Sequence, residues 1–260
     1  MEWQQGISTM TSRVFLSYLA KLKQQLFSLS SCDLCGLDII TENDTENDGI
    51  NSKQQYLICQ YCQNDLPYFK QELIHGDLLM WPAVNHALPK IKFDRLFALA
   101  PYLPPFTQWL AQLKYHGRFE LGQLFAVLLA QQWQHYATEI APEVVLSVPL
   151  HLSKWQLRGY NQAHLIAKPF AQALQLKYLP NAVSRIKKDE SQMGKTGQAR
   201  RKNLKNSFKL TNDFSDVKHV ILIDDVVTTG TTASEISRLL KAVGVETVTV
   251  VAVCLTLPKV

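Results

Sequence analysis

The sequence contains no run of eighteen or more apolar residues, so it offers no candidate membrane-spanning helix. It also lacks the unbroken apolar stretch of a secretion signal. Leu29-Ser30-Ser31-Cys32 has the form of a bacterial lipoprotein cleavage box, but Lys21, Lys23, Gln24 and Gln25 interrupt the stretch before it. Val14, Leu16, Leu19, Leu22, Leu26 and Phe27 fall instead at helical spacing, which predicts an amphipathic helix within residues 1–30. The expectation is a cytoplasmic protein, with lipoprotein export as the alternative. Net charge is scarce as well: +5 over 260 residues does not by itself imply nucleic acid. What charge there is sits in one place. From Arg185 to Lys209, nine basic residues face two acids, a local +7 that leaves −2 for the rest of the chain. Such concentration points to an anionic ligand or partner.

Cysteine is sparse but clustered. Four of the five cysteines form two pairs, Cys32-x-x-Cys35 and Cys59-x-x-Cys62, separated by 23 residues. Each pair can present two thiolates on one turn, and two turns complete a tetrahedral sulfur cage for zinc. Four thiolates leave no open position for water, so the metal is expected to be structural. The gap is slightly long because Thr41-Glu42-Asn43-Asp44 is repeated at once as Thr45-Glu46-Asn47-Asp48, a polar excursion between two knuckles. A disulfide pair is the alternative, disfavoured in a reducing compartment. Cys254 lies in the apolar run Val248–Leu255 and reads as a small core residue.

Residues 31–66 are thus read as a small zinc-ribbon module with four cysteine ligands. Pro67–Pro89 reads as a connector, and residues 90–260 as the main domain. Within that domain, strands are predicted over Phe93–Leu103, Val144–Val148, Val220–Ile223 and Thr247–Leu255. Helices are predicted over Phe106–Lys114, Leu121–Tyr136, Gln162–Leu176 and Ala233–Val243. Apolar strands alternating with helices predict an α/β fold, a parallel sheet flanked by helices. Ligands then bind beyond the carboxyl ends of the strands.

Val220-Ile221-Leu222-Ile223-Asp224-Asp225-Val226-Val227-Thr228-Thr229-Gly230-Thr231-Thr232 carries the chemistry. Four apolar residues bury a strand, two acids follow, and a threonine-rich turn enters a helix. Gly230 allows a tight turn, and the first helical N–H groups, unpartnered within the helix, favour an anion. The hydroxyls of Thr228, Thr229, Thr231 and Thr232 add donors, which makes a cradle for a phosphate monoester. Asp224 and Asp225 can bond vicinal sugar hydroxyls and help to hold magnesium. No Gly-Lys-Ser/Thr follows, so this is not a P-loop. An Asp-Asp turn and a Thr-Gly cap are commonplace separately; thirteen residues in strand–loop–helix order are not.

This stretch resembles, at every position, the phosphoribosyl pyrophosphate signature of type I phosphoribosyltransferases. Purine-salvage members carry an aspartate where this chain has Thr228, which is more like the orotate branch, so a purine acceptor is less favoured.

Two further segments accompany it. After Val148-Pro149 comes Arg158-Gly159-Tyr160-Asn161-Gln162-Ala163, a loop beside the phosphate cradle. Arg158 suits bidentate contact with a pyrophosphate, and Gly159 a close approach. The basic segment, with Arg185, Gln192, Arg200, Arg201 and Asn203, reads as a cationic lid over a polyphosphate, the alternative being a solvated basic loop.

Together with Leu113-Lys114-Tyr115-x-Gly117, Phe208 and the two cysteine pairs, these segments resemble the ComF family of competence and DNA-utilisation proteins over nearly the whole chain. Lys195 and Gly197 depart from the family pattern, where leucine and arginine are expected. The resemblance implies an N-terminal zinc ribbon, a type I phosphoribosyltransferase fold and a role in DNA uptake or use. Two functions follow. In the first, an enzyme binds phosphoribosyl pyrophosphate with magnesium and transfers the phosphoribosyl group. Asp224, Asp225 and Arg158 carry the catalysis, and Val226 to Thr232 hold the sugar phosphate. In the second, a non-catalytic sensor of a phosphoribosyl ligand docks single-stranded DNA or a DNA-transport partner. The sequence carries no marker for the acceptor.

Overall fold

The computed structural model of the protein describes residues 31–39, 57–136, 141–186 and 207–257. The helix expected within residues 1–30, the polar duplication at 41–48, and Gln192, Arg200, Arg201 and Asn203 lie outside the described residues. The chain divides into two compact units, Met1–Leu66 and Pro67–Val260.

The first unit carries both cysteine pairs on short turns. Ser31 and Asp38 form an antiparallel bridge. Within it, Cys32 N–H donates to Leu37 O at 2.7 Å and Gly36 N–H to Cys32 O at 2.9 Å. The second pair straddles the start of helix α1 (Gln60–Asn64), with Cys59 at the N-cap.

The second unit is built on β1 (Arg95–Pro101), β2 (Val144–Ser147), β3 (Lys177–Tyr178), β6 (His219–Val227) and β7 (Thr247–Leu255). These five strands form one parallel sheet in the order β1-β7-β6-β2-β3. The continuous apolar runs of β2, β6 and β7 follow from this arrangement, since both faces are covered. On one face, Leu96, Ala98, Leu146, Val220, Leu222, Val248 and Val250 pack in a common core with Ala233, Ile236 and Leu240 of α7 (Thr231–Ala242). Those three helix residues, with the buried Ser237, recur at the spacing of one helical stripe. Ser237 satisfies its hydroxyl internally, donating to Ala233 O at 2.8 Å. The other face bears α3 (Phe106–Tyr115), α4 (Glu120–His135) and α6 (Gln162–Ala173). There Phe97 of β1 meets Trp133 of α4 edge-on, ring centroids 5.5 Å apart, and Trp133 in turn meets Phe170 of α6. Helices α4 and α6 approach so closely that a Cβ at Gly122 would lie 3.0 Å from the Leu165 Cβ.

Three differences from the sequence reading have physical causes. Residues 67–89 read as a connector because they lack a long periodic stretch. In the structure they wall the core: Phe69, Ile74, Leu78, Val84 and Leu88 are buried, the last two in and beside the short helix α2 (Pro82–Ala87). Side chains tie this wall to the edge strand β1. Gln71 Nε2 donates to Ala98 O at 2.7 Å, and Asp77 Oδ1 accepts from Leu96 N–H at 3.1 Å. The segment after β2 is a helix, α5 (Leu152–Arg158), where a loop is expected; with no buried residue it has no apolar stripe to announce it. Finally, β4 (Val183–Arg185) and β5 (Phe208–Leu210), for which the sequence predicts no strand, form their own antiparallel ladder, and the basic segment joins these two strands.

Candidate functional site

The carboxyl ends of β2 and β6 and the start of α7 border one concave region. Strand β6 does not stop at Ile223; its ladder with β7 continues from Asp224, opposite Ala252, to Val227, opposite Leu255. The two acids therefore stand on rigid strand backbone, and the turn proper is Thr228 to Gly230. Gly230 takes φ +64°, and a Cβ there would meet the Phe93 ring at 3.2 Å, so both conformation and space require glycine. Helix α7 begins at Thr231 without a side-chain cap. The Thr229 and Thr231 hydroxyls lie 2.8 Å apart. Asp224 and residues 226–233 line an open recess of about 100 Å³. All of the loop residues read as a phosphate cradle, Val226, Val227, Thr228, Thr229, Gly230, Thr231 and Thr232, line it together.

A second, larger cavity of about 490 Å³ adjoins it and is lined by Asp224, Asp225, Arg158 and Arg185, among others. Asp224 Oδ1 accepts from Asp225 N–H and Asp225 Oδ1 from Val226 N–H, each at 2.8 Å. Burial, and then the neighbouring Asp225 charge, push Asp224 well above the usual carboxylate range. The sequence reading missed the cation that answers this pair. Lys114, at the end of α3, stands 2.5 Å from Asp225 Oδ2, with both side chains 17% exposed. Burial alone would lower the Lys114 ammonium, but Asp225, with Asp224 and Tyr102, holds it above the ordinary lysine value. The signal was in Leu113-Lys114-Tyr115-x-Gly117, whose lysine has no sequence neighbour to reveal its partner. Behind the pair, Cys254 is a buried thiol pushed up to about 12, first by burial and then by Asp225.

Arg158 reaches the same cavity as the last residue of α5. Nη1 donates to Gln162 Oε1 and Nη2 to Tyr115 Oη, each at 3.0 Å, and the guanidinium lies 4.8 Å from the Tyr115 ring centroid. Gly159 ends the helix at φ +76°, a left-handed turn that suits glycine, and a Cβ there would meet no protein atom within 4 Å. Asn161 explains its own presence in the motif. Its Oδ1 caps α6 by accepting from Ala163 N–H at 3.1 Å, while Nδ2 donates to Val148 O at 2.9 Å. Tyr160 donates to Leu113 O and packs edge-on against Phe119, which fixes the end of α3 that carries Lys114. Of the basic segment, Arg185 is in view; it stacks over Phe208, 5.4 Å from the ring centroid, at the cavity wall.

In the first unit, the Sγ atoms of Cys32, Cys35, Cys59 and Cys62 all lie within 4.8 Å of one another, Cys35 and Cys59 at 3.8 Å. A tetrahedral site with metal–sulfur bonds of about 2.3 Å has sulfur edges of about 3.8 Å, so the set fits. Burial would raise the Cys32 thiol, but bonds to backbone groups of Cys35, Cys59 and Leu34 bring it down to about 6. Cys62 is pushed up by burial and by the three neighbouring sulfurs. Such a group favours a cation at its centre.

A family profile described as phosphoribosyl transferase domain matches residues 162–258, from the start of α6 through β7. Competence protein F of Haemophilus influenzae is 33% identical over 199 residues, which span 74% of this chain and 82% of that protein. DNA utilization protein YhgH of Salmonella typhimurium is 32% identical over 208 residues, 79% of this chain and 87% of that protein. Competence protein ComFC of Streptococcus pneumoniae is 24% identical over 151 residues, 58% and 64% respectively. With a phosphoribosyltransferase-type sheet, its threonine-rich loop and a four-cysteine cluster in front, the chain belongs to the ComF family of competence and DNA-utilisation proteins.

Proposed function

We propose that the protein binds phosphoribosyl pyrophosphate with magnesium and transfers its phosphoribosyl group to an acceptor, in the service of DNA uptake or use. The observation that carries this reading is the junction of the two cavities at Asp224. One is a small cradle at a helix start; the other is a larger chamber with cations on its wall. A sugar carrying a monoester at one end and a diphosphate at the other matches that layout. The monoester sits on Thr228 to Thr232, where helical N–H groups and hydroxyls donate to it. The ribose hydroxyls donate to Asp224 and Asp225. The diphosphate faces Arg158, whose fork is already oriented by Gln162 and Tyr115.

In the reaction, the bond from the anomeric carbon to the pyrophosphate oxygen breaks and its electron pair leaves with pyrophosphate. The acceptor's lone pair forms the new bond. The two carboxylates lie where positive charge develops on the sugar, and Arg158 stabilises the departing anion. Magnesium suits the hard oxygen donors of Asp224 and Asp225 and, when bound, neutralises diphosphate charge. The basic segment, with Arg185, Gln192, Arg200, Arg201 and Asn203, acts as an anion-binding lid. The four cysteines hold a structural zinc, and their module, residues 31–66, stands before the transferase domain. The names of the relatives, competence and DNA utilization, support a role in DNA uptake or use, and the partner in this reading is single-stranded DNA or the uptake machinery.

Calorimetry with phosphoribosyl pyrophosphate and magnesium tests the binding, and pyrophosphate release with candidate bases and nucleotides tests the transfer. Asp224→Asn with Asp225→Asn is expected to abolish binding while circular dichroism stays unchanged. Unchanged affinity in that variant would remove the ribose-binding role. Binding without any turnover would leave the sensor reading in its stead.

A further inference from the structure

Three of the four carboxylate oxygens of the acid pair are already committed in the ligand-free chain. Asp224 Oδ1 and Asp225 Oδ1 accept backbone N–H groups, and Asp225 Oδ2 holds the Lys114 ammonium. Lys114 is not a passing surface partner. It is only 17% exposed, and its helix end is pinned by the Tyr160 bond to Leu113. The surrounding chamber has a further property. Among the described residues lining it, Lys114, Lys154, Arg158 and Arg185 oppose just Asp224 and Asp225, a formal charge of +2.

We infer that Lys114 is an internal counter-ion that bars free divalent cations from the acid pair, so that the metal is admitted only when already bound to a diphosphate. This rests on the reading of the site as one for a metal–diphosphate sugar, and adds how that site discriminates. A bare divalent ion would have to shed water, displace a partly buried ammonium, and raise the charge of a chamber that is already positive. A metal–diphosphate complex is net anionic, so it lowers the chamber's charge. The phosphate oxygens it brings also offer the displaced Lys114 a new partner in the same chamber. The reserved carboxylates are thereby kept from sequestering a metal that would block the ribose.

Manganese binding to the zinc-loaded, full-length protein reads this directly, by electron paramagnetic resonance in the absence of any phosphate ligand. Lys114→Met keeps an unbranched side chain, one heavy atom shorter, without its charge. It is expected to bind manganese at least about tenfold tighter than the wild type, since an adjacent unit charge has been removed from a partly buried site. Lys114→Arg, which keeps the charge, is expected to behave as wild type. The gain is expected to vanish when Asp224→Asn and Asp225→Asn are added to Lys114→Met. If Lys114→Met misfolds, Lys114→Gln takes its place, with thermal melting as the check. A folded, charge-free variant that binds manganese no better than wild type overturns the inference. A gain that survives loss of both acids overturns it equally. Wild-type titration with phosphoribosyl pyrophosphate and magnesium separates the two readings. Its failure removes the proposed function while leaving the manganese result to stand, whereas its success beside an unmoved manganese affinity removes the counter-ion alone.

Discussion

Gly230→Ala adds a single methyl group at a point where backbone angle and surroundings both resist it. The residue sits at φ +64°, and the new Cβ would stand 3.2 Å and 3.3 Å from two carbons of the Phe93 ring and 3.4 Å from Ile91 Cγ2. The left-handed conformation costs a non-glycine residue about 1 kcal/mol or slightly more, partly offset by the stiffer unfolded chain. The Phe93 ring must then give by a few tenths of an ångström. Together these predict a loss of about 1–2 kcal/mol, or about 2–8 °C in melting temperature for a domain of this size. The larger effect is expected in binding. Gly230 is the N-cap of α7, so a shifted turn re-aims the N–H groups of Thr231 and Thr232. One lost hydrogen bond to a charged ligand costs about 1.5–3 kcal/mol, roughly tenfold to a hundredfold in affinity. Ile236→Val supplies the control. It removes a buried methylene from the same helix and costs about 0.5–1.5 kcal/mol without touching the cradle. The assay is thermal melting beside calorimetry with phosphoribosyl pyrophosphate. If Gly230→Ala melts lower but binds as wild type, the sugar phosphate does not sit on this turn and the cradle reading is refuted.

Three further outcomes are expected. Cys59→Ser with Cys62→Ser should lose zinc by elemental analysis; full metal retention would show that the four sulfurs are not the ligand set. Asp224→Asn in the ligand-free protein should melt higher than wild type at about pH 7. The folded chain holds the Asp224 proton to higher pH than the unfolded chain, so its ionisation costs stability above the ordinary aspartate value. That cost is complete above the raised folded value and absent below about pH 4. The variant's advantage should therefore fade as pH falls, and an increment independent of pH would contradict the burial argument. Arg200→Ala with Arg201→Ala should weaken phosphoribosyl pyrophosphate binding and spare single-stranded DNA. Loss of DNA affinity, with the salt dependence reduced by about one unit per lost phosphate contact and sugar-phosphate affinity untouched, would favour a DNA-docking arm.

The strands that position the site were readable because parallel strands buried on both faces are apolar without interruption, as β6 and β7 are. The cysteine pairs and the threonine-rich turn were readable because their chemistry is local. Lys114 was not, since the acid it neutralises belongs to a strand far along the chain and no spacing rule links them. Helix α5 escaped notice because it buries nothing. The continuation of β6 through Asp224 and Asp225 was hidden for a related reason: the apolar pattern stops at Ile223, while the backbone ladder with β7 does not. Residues 67–89 mislead in the opposite sense, being short irregular pieces whose apolar side chains are nonetheless buried.

The hairpin of β4 and β5 sets Arg185 directly across from Phe208. Whatever lies between them begins and ends at one spot, so its length is uncoupled from the geometry of the sheet. Closing a longer loop is cheap, about 0.6 kcal/mol for each doubling. Insertion, deletion or proteolytic nicking between these two residues should therefore leave the core standing. The basic segment is in this sense a replaceable cassette, open to evolutionary or experimental exchange without refolding the domain that bears it.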